Sequence, residues 1–413
     1  LVLCYRGRPV KNSAMITETS EKFARPLIYV IAGEVSGDII GAKLIREIKR
    51  FQKHKFSFAG VGGEQMTNEG VQSLFPISEM AVMGIFELVP HVPNLIRRIH
   101  ETVQDIIAKK PVAVISIDSK AFTMRVAKLI QKKQKESDKE IKLIHMVAPT
   151  VWAWRPGRAK NISKFLDHLL TLFPFEPPFF TRHGLPTTFI GHPLAEQRVG
   201  CSSVYRNTHN VDEATKIISL LPGSRPGEIK RLLPTFKKTM DLLLKKHPNI
   251  HITMPTVVSV EGMLRRETLE WRTPVSIITD PEMKLNALAA SSVALAASGT
   301  VTLELALAKV PSVIAYKVNP LSAIIGYFLV NQDAVVLPNK LMGKEIFPLY
   351  LQWKCTPCNL YKAVIQKIEN PTDQLIEVSD AMRNMLRPNK QSSQSLAAQI
   401  IIRVVEDGKT LSL

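Results

Sequence analysis

Two short loops of this chain combine glycine, hydroxyl groups and a nearby charge in the way that holds phosphate. Leu221-Pro222-Gly223-Ser224-Arg225 follows the strand-like Ile217-Ile218-Ser219-Leu220, and Ala297-Ser298-Gly299-Thr300 opens a helical run with Glu304 one turn inside. Each loop ends an apolar run and precedes a helix, whose free N–H groups attract an anion. Arg225 adds a permanent, forked charge suited to pyrophosphate. The Glu304 carboxylate would repel phosphate but can accept from ribose hydroxyls. A single loop of this kind is more often a plain capped turn. Two in one half of an alternating chain shift the balance toward a nucleotide-diphosphate site.

The elements that position these loops alternate in type. Leu27–Ala32 is an apolar, β-branched run ending in Gly33-Glu34-Val35-Ser36-Gly37-Asp38, after which Ile40, Leu44 and Ile48 recur at helical spacing. Val112–Ile117 is an apolar strand ending at Asp118, and Ile141–Val147 ends at Ala148-Pro149. After a polar, aperiodic stretch near 195–215, strands restart near Ile217, Ile250, Ser276, Ala294 and Val313. Continuous apolar strands between helices imply parallel sheets covered on both faces. The expected fold is therefore α/β, with two Rossmann-like parallel-sheet domains, at 27–200 and 210–373. An N-terminal extension, 1–26, is predicted disordered, and a helical tail, 374–413, is predicted to pack back on the first domain. Ligands of open parallel sheets lie beyond the carboxyl ends of the strands. Glu34, Ser36, Asp38 and Asp118 fall at such ends, and a cleft would set them opposite the phosphate cradle.

The 413 residues exceed what one core usually organises, and 54 basic against 36 acidic residues give a net charge of +18. Such a charge suits nucleic acid, an acidic membrane or a phosphorylated substrate. No nucleic-acid-binding signature or arginine-rich tract is present, which disfavours the first. Cys4, Cys201, Cys355 and Cys358 make no disulfide framework for a chain this long, so a reducing compartment is expected. The lone Cys355-x-x-Cys358 reads as packing or surface thiols rather than a zinc site. No stretch reaches the ~18 apolar residues of a membrane span. The Met80–Val89 stretch leads into a helix with Leu95, Ile99, Val103 and Ile106 on one face and Arg97, Arg98 and His100 off it. That pattern fits a core-facing helix or a lobe resting on acidic lipid; a second apolar stretch, Leu321–Val330, has a weaker claim to such a role. The chain begins at Leu1, with Met15 just before an acidic stretch, so residues 1–14 read as upstream sequence or a presequence, and no cleaved export signal is expected.

Eight segments, in order, resemble the lipid-A-disaccharide synthase family of GT-B glycosyltransferases. They are Ala32 to Asp38, Ala81-Val82-Met83-Gly84, Val151-Trp152-Ala153-Trp154-Arg155, Phe173-Pro174-Phe175-Glu176, Gly191-His192-Pro193, Leu221 to Arg225, Ala297 to Thr300 with Glu304, and Leu337-Pro338-Asn339. The resemblance implies inverting hexosyl transfer in lipid A biosynthesis. UDP-2,3-diacylglucosamine would react with the 6-hydroxyl of 2,3-diacylglucosamine 1-phosphate (lipid X), giving a β(1→6) disaccharide and UDP. It implies an acceptor-side first domain and a UDP-sugar-binding second domain. Asp118 would be the base, with Arg225 and Glu34 also catalytic. Gly223, Ser224, Arg225, Ser298, Gly299, Thr300, Glu304 and Asn339 would hold the UDP-sugar, and Ser36, Asp38, Trp154 and Arg155 the acceptor.

The chain lacks Asp-x-Asp, so no metal and no cofactor are expected. The expected partners are the two lipid substrates and an anionic membrane surface, without nucleic acid; a homodimer stays open. A bacterial source would place the chain in the cytoplasm, peripheral on the inner membrane, and a eukaryotic one in an organelle. There are departures from the family pattern. Ser119-Lys120-Ala121 follows Asp118 where the family has proline and a second aspartate, and Glu64 stands where it often has proline. Trp152 and Trp154 read as core aromatics or as a wall for sugar and acyl chains, and His192 as structural. Other UDP-sugar enzymes of the same architecture, a peptidoglycan N-acetylglucosaminyltransferase or a non-hydrolysing 2-epimerase, are the competing readings.

Overall fold

The computed structural model describes residues 25–80, 92–134, 140–152, 157–319, 335–370 and 374–407. Its first half is built on six parallel strands, β1 (Leu27–Ala32), β2 (Ser57–Val61), β3 (Ala113–Ile117), β4 (Lys142–Met146), β5 (His168–Thr171) and β6 (Thr187–Phe189), in the order β2-β1-β3-β4-β5-β6. The interior strand β1 explains why both faces must be covered. Ile28, Val30 and Ala32 join one apolar cluster with Leu44, Ile45 and Ile48 of α1 (Val35–Phe51). Tyr29 and Ile31 point the other way. They join Ile99, Val103 and Ile106 of α3 (Val92–Lys109) and Phe122, Val126 and Ile130 of α4 (Lys120–Gln134). Alternate side chains leave opposite faces of a strand, and each buried aliphatic residue contributes about 1.5–3 kcal/mol. The short helices α2 (Glu64–Asn68), α5 (Arg158–Ile162) and α6 (Pro178–Thr181) complete this half.

The second half repeats the plan with β7 (Lys216–Leu221), β8 (Ile250–Pro255), β9 (Val275–Ile278), β10 (Val293–Ala297), β11 (Ser312–Tyr316) and β12 (Leu349–Leu351), ordered β12-β11-β10-β7-β8-β9 and again parallel. Its helices are α7 (Ser202–His209), α8 (Pro226–Lys246), α9 (Val258–Thr268), α10 (Pro281–Ala290), α11 (Val301–Leu307), α12 (Leu337–Met342) and α13 (Pro357–Glu369). Both sheets reverse their winding direction once. The first does so between β1 and β3, the second between β7 and β10.

Two last helices, α14 (Gln374–Met385) and α15 (Ser393–Asp407), carry the chain back across the molecule. Arg383 of α14 donates to the carbonyls of Ala195 at 3.1 Å and Gln197 at 3.0 Å, and to Leu307 of α11 at 3.1 Å. Glu196 accepts from the N–H of Ser393 at 2.6 Å and its hydroxyl at 2.8 Å, which caps α15. From there α15 runs along α1, with Lys55 paired to Glu406 at 2.5 Å.

Several sequence readings meet this frame. The Ile99, Val103 and Ile106 face of α3 is core. Arg98 is not a free, lipid-facing cation. It binds Glu79 and Glu101, each at 2.6 Å, and lies over the Phe75 ring. Residues 81–91 and 320–334, which hold nearly all of the apolar Met80–Val89 stretch and the whole of Leu321–Val330, lie outside the described residues, as do residues 1–24 with Cys4. Cys355 is buried in the second core while Cys201 and Cys358 are exposed. No described helix is long and apolar enough to cross a membrane.

Candidate active site

The loops picked out by residue type stand at the two reversal points. At the carboxyl ends of β1 and β3, Glu34 and Ser36 are exposed at the start of α1, and Asp118 is half-buried immediately after β3. Asp118 and Ser119 both take left-handed backbone, φ 48° and 46°, and Val147 after β4 does the same at 76°. Each costs about 1–3 kcal/mol for a side-chain-bearing residue. The Asp118 N–H donates to the carbonyl of Met146 at 3.0 Å, and the Thr123 hydroxyl donates to the Asp118 carbonyl at 2.7 Å. These bonds hold the turn in place. A Cβ on Gly33 would lie 2.1 Å from the Ser119 hydroxyl, so only glycine lets the two strand ends close on each other.

At the ends of β7 and β10 the same job is done by glycines. Gly223 has φ +124° and Gly299 +150°. Arg225 heads α8 with its side chain largely exposed, and pairs with Glu228 at 3.1 Å. Glu228 also accepts from the Ser224 N–H at 3.3 Å. Tyr316, closing β11, belongs to the same group. Burial raises its phenol pKa and the Glu228 charge raises it further, while Arg225 and Arg231 pull it down. The Ser298 hydroxyl donates to the Val335 carbonyl at 2.5 Å, while Gly299 and Thr300 are exposed ahead of α11. Glu304 pairs with Lys284 of α10 at 2.5 Å, beside a 280 Å³ hollow lined by Gln197, Arg198 and Leu285.

Two of the anticipated ligand residues make structural hydrogen bonds. Asp38 is only 4% exposed, and its carboxylate accepts from the N–H groups of Gly63 (2.8 Å), Gln65 (3.0 Å) and Met66 (3.0 Å), capping α2. Asn339 accepts from Ile346 and Phe347, both at 3.0 Å, and donates to the Phe347 carbonyl at 2.9 Å. Asp38 is buried and so satisfied, whereas Asn339 is only partly buried. Trp154 and Arg155 lie outside the described residues. Trp152 is packed: its indole donates to Glu176 at 3.1 Å, and its ring meets Phe175 edge-on. Lys340 of α12 reaches from the second half over both rings, 5.5 Å from Trp152 and 4.8 Å from Phe175. Buried His192 accepts from the Leu194 N–H.

Sequence reading passed over Glu228, Lys284, Tyr316 and Lys340. Glu228 did leave a trace, an acid three residues after Arg225 in the first turn of a helix. The others come from elements remote in the chain and left none. Among the described residues no group of three His, Cys, Asp or Glu could hold a metal ion.

Residues 28–404 match the family model described as lipid-A-disaccharide synthetase. The chain belongs to that family. Lipid-A-disaccharide synthases of Rhodospirillum centenum and Paramagnetospirillum magneticum are each 39% identical to it, covering 92% and 93% of this chain and 96% and 98% of theirs. Solved structures share the fold at much lower identity. A UDP-GlcNAc 2-epimerase from Neisseria meningitidis bound to UDP-GlcNAc aligns with TM-score 0.58 at 13% identity, over 92% of this chain and 100% of that one. A glycosyltransferase from Rickettsia africae aligns with TM-score 0.54 at 11% identity, over 93% and 100%. The chain is thus a lipid-A-disaccharide synthetase family member on a GT-B frame.

Proposed function

We propose that the chain is an inverting glycosyltransferase that condenses UDP-2,3-diacylglucosamine with 2,3-diacylglucosamine 1-phosphate, giving the β(1→6) lipid A disaccharide 1-phosphate and UDP. One observation carries the assignment of roles. A side-chain carboxylate stands at the reversal point of one sheet, and an anion-binding loop stands at that of the other, where open parallel sheets bind their ligands. Asp118 takes the proton from the acceptor 6-hydroxyl, with Glu34 and Ser36 beside it on the acceptor side. As the anomeric C–O bond breaks, charge builds on the departing diphosphate, and Arg225 with the N–H groups around Gly223 and Ser224 stabilises it. Ser298, Gly299 and Thr300 border the nucleotide, and Glu304 accepts from ribose hydroxyls. Asp38 and Asn339 support the site from behind.

The charge of +18 and the acylated substrates support a peripheral hold on an anionic membrane, at the cytoplasmic face for a bacterial source and in an organelle for a eukaryotic one. The likeness to 2-epimerases is one of fold and brings no competing chemistry with it. The test is incubation of purified protein with both lipid substrates and detection of the disaccharide and UDP by mass. Appearance of an epimerised UDP-sugar without disaccharide would overturn the reading. Sedimentation with anionic vesicles that weakens as salt rises would support the membrane assignment; equal recovery with neutral vesicles would remove it.

A further inference from the structure

Glu228 lies under the loop that the diphosphate reading depends on, and its geometry is unlike that of a solvent-facing helix residue. Its side chain is 15% exposed, whereas that of Arg225 is 64% exposed. Its carboxylate has two engagements. One oxygen accepts from the Ser224 N–H at 3.3 Å, and the other meets Arg225 Nη1 at 3.1 Å. It also fills the space beside Gly223. A Cβ there would fall 2.6 Å from the nearer carboxylate oxygen and 2.7 Å from the Glu228 Cβ. Gly223, already at φ +124°, is therefore needed twice over, for its backbone and for Glu228.

The arrangement fixes a flexible cation. An exposed arginine samples many rotamers, and binding a ligand costs the entropy of stopping it. A half-sunken carboxylate that grips one edge of the guanidinium stops it in advance. The remaining guanidinium donors have no hydrogen-bond partner among the described residues and stay available. Resting on the reading of Arg225 as the diphosphate ligand, we propose that Glu228 is the positioning residue of the nucleotide loop, holding the Ser224 turn and aiming Arg225 at the diphosphate. The same negative charge would repel phosphate if it lay in the ligand's place. Its low exposure keeps it out of that place, and Arg225 is the more exposed partner.

The test is a double-mutant cycle read by UDP affinity, with thermal unfolding as a check on the fold. Glu228→Ala is expected to weaken UDP binding roughly 10- to 100-fold, the size of a lost charge-assisted bond. Glu228→Gln keeps an acceptor for the Ser224 N–H but loses the charge on Arg225, and is expected to fall between wild type and Glu228→Ala. The variant Arg225→Ala/Glu228→Ala is expected to bind UDP about as weakly as Arg225→Ala alone. Additive losses, or unchanged affinity in Glu228→Ala with a lowered melting temperature, would make Glu228 a helix cap and overturn the proposal. Tighter UDP binding by Glu228→Gln would make it a competitor and overturn it equally. Wild-type UDP affinity in Arg225→Ala would bring down the diphosphate reading itself, and this proposal with it.

Discussion

The two reversal points solve one geometric problem with opposite materials. In the second half the sharp turns after β7 and β10 fall on Gly223 and Gly299, where left-handed or unusual backbone is cheap. In the first half the turn after β3 falls on Asp118 and Ser119, and that after β4 on Val147, all at positive φ with side chains present. On the proposed reading, strain of about 1–3 kcal/mol falls on Asp118, the residue assigned the proton, and is avoided at the two glycines of the diphosphate loops. On that reading peptide N–H groups and Arg225 meet the phosphate, whereas a carboxylate meets the proton.

The sharpest way to break this comparison is at Asp118. Asp118→Asn keeps the shape of the turn and removes the base, so turnover is expected to fall by roughly 10²- to 10⁴-fold with an unchanged melting temperature. Asp118→Gly should be as inactive yet no less stable, because glycine relieves the strain. Near-normal turnover in either variant would show that the strained turn serves packing alone, with Glu34 next to examine. Arg225→Ala probes the glycine-built side. A lost charged contact to a phosphate costs about 2–4 kcal/mol in kcat/KM, and full activity would detach the loop from the chemistry.

Acid should weigh on stability most in the first half, although burial also lowers His251 on β8 of the second. His168 on β5 and His192 beyond β6 are both lowered by burial from 6.5 to about 4. Both are neutral in the fold, and the unfolded chain binds protons more readily below pH 6.5. Their stabilisation is whole above that pH and is lost as the pH falls from 6.5 toward 4, by up to about 3 kcal/mol each. Urea titrations across that window should show the loss, and His168→Gln should flatten it; a flat wild-type profile would refute it. The smallest expected effect is that of chelation. With no Asp-x-Asp and no metal-holding cluster among the described residues, activity is expected to survive EDTA. Loss restored by magnesium would show that the diphosphate charge is met otherwise than by Arg225.

Much of this was legible in the residues. The apolar runs of β1, β3, β7 and β10 announced buried parallel strands, and Gly223-Ser224-Arg225 and Ser298-Gly299-Thr300 announced turns before helices. Those signals are local, because periodicity reports which face of an element is buried and glycine reports where backbone bends. The polar side chains were legible only as candidates. Asp38 and Asp118 look alike in sequence, each an aspartate near the end of a strand. The fold gives the first three N–H groups from around α2, and leaves the second half-buried at a reversal point.

Sequence by itself thus determined the two-sheet plan, the family and the position of both loops. Tertiary structure alone decided which polar residues are spent. Asp38 of α1 is held by the N–H groups of Gly63, Gln65 and Met66, Arg98 of α3 by Glu79, and Glu304 meets Lys284 from another helix. The physical reason is range. A hydrogen bond or ion pair forms only when a partner comes within about 3–4 Å, and for these residues the packing of separate elements sets that distance.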